Sequence, residues 1–255
     1  MDSSERKFER LLAEAKDDAN ILAFFLTGSR GKERSTPHSD WDIRIIVKNK
    51  VLVSYQRKYD DLEDKYFDIG VFSLGQLKAY AEWGSGEEWD RYDFTHVKVI
   101  IDKTNGEIQA IVDEKGKIPS PQIKEFVSRE ISAYINAVFR SVKCFRDGED
   151  MGAHLEVALS IQHLMNILFA LHEGRIRPYY KYWEWELKHH PLDKIPLSGR
   201  ELKNDVKRIL RNGDLQTQQK IFFVIEALIK KEGYQHTLDE WDKKVFVFIK
   251  TFSKH

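Results

Sequence analysis

Residues 21–47, ILAFFLTGSRGKERSTPHSDWDIRIIV, decide how this chain folds. Ile21 to Leu26 reads as a buried strand, and Thr27-Gly28-Ser29 then enters a polar loop. Residues 40 to 47 alternate in polarity and are rich in β-branched types, which marks a second strand. On it Asp40 and Asp42 lie two apart, so both carboxylates project from one face while Trp41 and Ile43 point the other way. Like charges so close repel each other unless a cation sits between them, and hard oxygen ligands of this kind suit Mg²⁺.

Residues 66 to 72 (YFDIGVF) repeat the strand pattern and belong beside residues 40 to 47 in one sheet. Asp68 falls in the middle of this run, where a carboxylate needs a partner. Placed next to Asp42, it completes a site for one or two divalent ions. Upstream, Gly28 removes the Cβ that would block a phosphate, and the Ser29 hydroxyl and nearby amides are suited to its oxygens. Of the basic residues after Ser29, only Arg30 is close enough in sequence to grip phosphate with the turn.

Further out, Phe8, Leu11, Leu12 and Ala15 have helical spacing and predict a helix near 4 to 17. Ser73 caps a short helix over 74 to 82, and Gly84-Ser85-Gly86 breaks it. Phe94 to Ile101 and Glu107 to Val112 read as strands, joined as a hairpin by Asn105-Gly106. Beyond Pro119 and Pro121 the period changes from two to 3.6, with helical runs near 121 to 146, 151 to 173, 199 to 212, 214 to 231 and 237 to 252. The expected fold class is α+β: a mixed-sheet domain over 1–118 and an α-helical bundle over 119–255, divided at DEKGKIPS (113 to 120).

Lys plus Arg and Asp plus Glu each number 41, so no net positive field holds a polyanion, which argues against a nucleic-acid polymerase or nuclease. The lone Cys144 excludes an intramolecular disulfide. Nothing resembles a signal peptide or a membrane-spanning run, so no membrane partner and a cytoplasmic location are expected.

With these residues in view, the chain resembles the DNA polymerase beta superfamily of nucleotidyltransferases. Its signature is an apolar residue, Gly, Gly or Ser, a spacer, then Asp, apolar, Asp or Glu, apolar. Here that reads Thr27-Gly28-Ser29, ten residues, then Asp40-Trp41-Asp42-Ile43, with Thr27 departing from the apolar slot. A nucleotidyltransferase domain followed by a helical bundle is similar to the streptomycin and kanamycin adenylyltransferases, which modify aminoglycoside antibiotics. The match is sharp over residues 24 to 47 and architectural elsewhere.

The resemblance implies that Asp40 and Asp42 bridge Mg²⁺ to a nucleoside triphosphate, that Asp68 holds the catalytic metal, and that Gly28 and Ser29 bind the β and γ phosphates. A general base on the acceptor hydroxyl belongs to several such enzymes. Glu87, Glu88, Asp90 and Asp93, in the acidic loop GSGEEWDRYDF, are the candidates here, and Glu88 is the choice. In the helical region, RIRPYYKYWEWEL (175 to 187) is expected to close over the nucleotide, Lys181 neutralising phosphate. The same segment also suits a core stripe of aromatic residues, and His163 and Asn166 suit either a cleft or helix packing.

The expected function is Mg²⁺-dependent transfer of AMP from ATP to a hydroxyl of a small molecule such as an aminoglycoside, releasing pyrophosphate. Two alternatives stand beside it: a protein-modifying or antitoxin-type nucleotidyltransferase, and a non-catalytic nucleotide-binding module.

Overall fold

A computed structural model describes residues 3–62 and 64–253. The chain is α+β and divides into two compact units, Met1–Pro119 and Ser120–His255. The first unit runs α1 (Ser3–Asp17), β1 (Ile21–Leu26), α2 (Gly28–Gly31), β2 (Trp41–Val47), α3 (Leu52–Asp60), β3 (Phe67–Ser73), α4 (Leu74–Ala79), β4 (Val99–Asp102) and α5 (Glu107–Lys115). Its sheet is ordered β3-β2-β1-β4, with β1 antiparallel to both neighbours and β2 parallel to β3.

Strict alternation on β2 gives the sheet two different faces. Trp41, Ile43, Ile45 and Val47 enter a core with α1, α3 and the odd-numbered residues of β3. Ile46, Ala23 and Phe25 enter a second core with α4 and α5. Arg44 and Asp42 continue the Ile46 face toward the start of the strand.

The sequence pattern predicts no helix between β2 and β3. Parallel pairing demands a crossover, and α3 supplies it. The expected hairpin after β4 is also corrected: Glu107–Lys115 is helical, and the strand before it spans only Val99–Asp102. Asn105 and Gly106 do adopt positive φ, 56° and 91°, yet the turn they make starts α5. There Asp102 accepts the Thr104 and Gln109 amides at 2.8 and 3.1 Å, and the Thr104 hydroxyl accepts that of Ile108 at 3.2 Å. These bonds satisfy amides a helix start leaves open. Ile108 and Val112, one turn apart, are fully buried, and that burial selects the helix. Of the expected strand, Phe94 ends a 3-10 helix over Glu88–Phe94, and residues 95 to 98 are neither helix nor strand.

The second unit is helical: α6 (Ile123–Asp147), α7 (Asp150–Leu171), α8 (Trp183–His189), α9 (Gly199–Asn212), α10 (Leu215–Lys231), α11 (Gln235–Asp239) and α12 (Lys243–Thr251). The run expected over 237 to 252 is split because Asp242 caps α12, accepting the Lys244 amide at 2.9 Å. Helix α7 is long and apolar enough to cross a membrane by length and composition, and more than half of its apolar window is buried within the protein. Between α6 and α7, the buried Glu130 accepts hydrogen bonds from Asn166 at 2.8 Å and pairs with His163 at 2.8 Å, while Arg177 donates to Asn166 at 2.9 Å. His163 and Asn166 are satisfied packing polars in this unit.

Candidate functional site

The parallel register sets Asp42 opposite Asp68 and Arg44 opposite Gly70. Residues in register on neighbouring strands face the same side, so the carboxylates of β2 and β3 share a surface. Asp40 stands just ahead of β2, at the end of the loop from α2. The three expected acids therefore lie at one edge of one sheet face.

Gly28 holds the turn from β1 against this edge. Its φ is +57°, and a Cβ built there would lie 1.8 Å from Asp42 Oδ2. The glycine is thus required first by the Asp42 carboxylate, which occupies the space a side chain would take. The Thr27 amide donates to the Asp42 carbonyl at 2.8 Å and pins the turn to β2. Thr27 itself is buried and its hydroxyl oxygen has no hydrogen-bond partner among the described residues.

Two expected phosphate ligands have other work in this structure. Buried Ser29 hydrogen-bonds Ser39 through the two hydroxyls at 2.8 Å, and Ser39 Oγ also accepts the Thr36 amide at 2.8 Å. Arg30 donates to the carbonyls of Asp40 and Ser39 at 2.9 and 3.0 Å, and its guanidinium lies 3.9 Å from the Trp41 ring centroid. Both residues brace the loop that delivers Asp40. What the turn can offer a phosphate is its backbone, since the first amides of α2 have no carbonyl one turn earlier.

The electrostatics of the cluster centre on Asp42. Burial pushes its carboxyl above the usual 3.8, the negative charge of Asp40 pushes it further, and Asp68 and Asp93 add to this. Arg44 opposes the shift. Its Nη2 sits 3.3 Å from Asp68 Oδ2 and its Nη1 donates to the Ile43 carbonyl at 3.1 Å. Asp40, Asp42 and Asp68 could together hold a hard divalent cation, and as oxygen donors they fit Mg²⁺.

Of the acidic loop, Asp93 adds its negative charge to those acting on Asp42. Glu88 accepts the Gly84 amide at 2.7 Å, folding back on its own loop. Asp93, five residues onward, is among the charges felt by Asp42 and by Tyr80, whose hydroxyl burial and Asp90 push up to about 12. The Asp93 carbonyl also accepts the ammonium of buried Lys32 at 3.0 Å, which ties this segment to the Gly28 turn. Arg44 had a signal that could have found it: residues 40, 42 and 44 share one parity in DWDIRIIV. Asp93 had none.

In the helical unit, the 175 to 187 segment divides its roles. Arg175 pairs with buried Glu186 at 2.8 Å, and Arg177 serves Asn166 and lies 5.0 Å from the Tyr180 ring centroid. Lys181 is exposed, with Nζ 4.9 Å from the Tyr182 ring centroid. A groove of about 600 Å³ in this unit, lined by Ile195, Phe223 and Leu228 among others, contains none of the expected site residues. No protein-family model matches the chain, and no characterised protein sequence matches it.

Proposed function

We propose that the chain is a divalent-metal-dependent nucleotidyltransferase of the DNA polymerase beta type, moving AMP from ATP to a hydroxyl of a small molecule. One observation carries this reading: the interlock of the Gly28 turn with the Asp42 carboxylate, with Asp68 in register beside it. A turn with free backbone amides pressed against clustered acids serves a ligand that is anionic and metal-bound at once, as a nucleoside triphosphate is.

In this reading Asp40, Asp42 and Asp68 hold one or two Mg²⁺ ions. Bound there, Mg²⁺ neutralises the triphosphate and the leaving pyrophosphate. The Gly28-Ser29 turn presents amides to phosphate oxygens, while Arg30 and the Ser29–Ser39 pair keep the Asp40 loop in position. The acceptor oxygen bonds to the α phosphorus as the bond to the bridging oxygen breaks, and pyrophosphate departs in line. A carboxylate of the acidic loop takes the acceptor proton, with Glu88 the choice from sequence and Asp93, whose charge acts on Asp42, beside it.

The test is pyrophosphate release from ATP and Mg²⁺ with a panel of polyhydroxylated acceptors. Asp42→Asn and Asp68→Asn are each expected to lower acceptor-dependent release by roughly 100-fold or more, the scale of a displaced catalytic group. Release that survives both substitutions, or none with any nucleoside triphosphate and acceptor, overturns the proposal.

A further inference from the structure

The acid cluster carries its own cation, and the way that cation is held is informative. Arg44 rises from the strand that bears Asp42, and it is mostly covered, with 16% of its side chain exposed against 55% for Asp68. Gly70, opposite it on β3, leaves room for both the Phe72 ring and the arginine stem: a Cβ there would come within 2.7 Å of Phe72 Cε2 and 3.1 Å of Arg44 Cδ. The sheet is therefore shaped to run this guanidinium across to Asp68.

The contact it makes there is weak. An arginine and a carboxylate in good geometry form two parallel hydrogen bonds near 2.7–2.9 Å. Arg44 gives Asp68 one contact at 3.3 Å and spends its other terminal nitrogen on the Ile43 carbonyl of its own strand. An ion pair with so exposed a partner adds little to stability. What Arg44 does at this position is lower the negative charge around Asp42 and Asp68, and a loosely held single charge yields to a divalent ion that bonds carboxylate oxygens near 2.0–2.1 Å.

We propose that Arg44 is a built-in counter-cation that competes with divalent metal for Asp68 and so sets the metal affinity of the site. Metal binding displaces the guanidinium from Asp68, and the released donors, still rooted beside Asp42, become available to an anionic ligand. Arg44 is a positioning residue in this scheme: it governs when Asp68 is available. The inference rests on the reading of the acids as a divalent-metal site.

The experiment is titration of the full chain with Mn²⁺ alone, without nucleotide, counting free Mn²⁺ by its electron paramagnetic resonance signal. Arg44→Gln and Arg44→Met remove the charge, and the methionine keeps much of the packing of the stem. Each is expected to bind Mn²⁺ about tenfold more tightly than the wild type, the scale of deleting one like charge beside a divalent ion near a protein surface. Arg44→Lys is expected to stay near the wild type. In an Asp68→Asn background the gain from Arg44→Gln should shrink to the part that comes from its charge on Asp42, a coupling that a purely structural role for Arg44 does not produce. Binding by the wild type that neutralising Arg44 leaves unchanged or weakens, in variants with native circular dichroism, overturns the role of Arg44 alone. No Mn²⁺ binding by any variant overturns both this role and the metal-site reading.

Discussion

Gly28→Ala is the sharpest perturbation the site allows. The added methyl has two separate costs. One is the backbone: φ of +57° is left-handed, and an L residue there loses about 1–2 kcal/mol relative to glycine. The other is the contact: the new Cβ would lie 1.8 Å from Asp42 Oδ2 and 2.7 Å from Asp42 Cγ, so the carboxylate must rotate away. Driving a side chain off its rotamer adds about 0.5–1.5 kcal/mol. Together these predict a loss of roughly 2–3 kcal/mol in urea unfolding followed by circular dichroism. Metal binding should suffer more than stability, because the displaced group is itself a proposed ligand. In Gly28→Ala/Asp42→Ala the two shortest contacts are absent and only the 3.3 Å approach to the Cβ of residue 42 remains, so the double variant should be more stable than the sum of the single effects predicts, leaving chiefly the backbone cost. A Gly28→Ala loss below about 0.5 kcal/mol, or strict additivity with Asp42→Ala, would show that the turn and the acid are not interlocked as described.

Asp42 also predicts how stability depends on pH and metal. Its pKa is raised on folding, so its contribution is fully present below the usual 3.8 and is lost as pH climbs through the raised value. Without divalent metal the urea midpoint should therefore fall as pH rises through that window, Asp42→Asn should remove this part of the fall, and Mg²⁺ should restore the midpoint of the wild type but not of the variant. Glu130 predicts the reverse in the helical unit. Burial pushes its pKa up, but the bonds from His163 and Asn166 outweigh burial and leave it lowered, so its contribution is present above the usual 4.5 and is lost as pH falls through the lowered value. Glu130→Ala strands these partners and should cost about 2–3 kcal/mol in thermal or urea unfolding, while Mn²⁺ binding at the sheet edge stays unchanged.

How far these features were readable from sequence depends on how local their causes are. Strands β1, β2 and β3 were legible because burial on a sheet imposes a period of two on the residues themselves. Helix α3 was not, because it answers to the parallel pairing of β2 with β3, a relation between distant segments. In EIQAIV, apolar residues at 108, 111 and 112 satisfy both a strand and a helix, and Asn105-Gly106 supports a hairpin; the Asp102 and Thr104 caps and the burial of Ile108 and Val112 decide for the helix. The acidic loop was less legible: nothing in a run of loop acids tells that Glu88 turns back to the Gly84 amide or that the negative charge of Asp93 acts on Asp42.

Parity on β2 links the fold to the candidate site. Read backward from Val47, one face of the strand carries only core residues, while the other passes from buried Ile46 through Arg44 to Asp42. A slip of one residue would exchange the faces and put Asp42 and Arg44 against the core of α1 and α3. That penalty fixes the register, and the register sets Asp42 beside Asp68. The acids can thus sit close enough to repel one another because the apolar residues between them on the opposite face hold the strand in place. Arg44, at the boundary of the second core and the acids, moderates the repulsion that remains. The stability that the charges cost and the cation affinity proposed for them then trace to the same few positions of one strand.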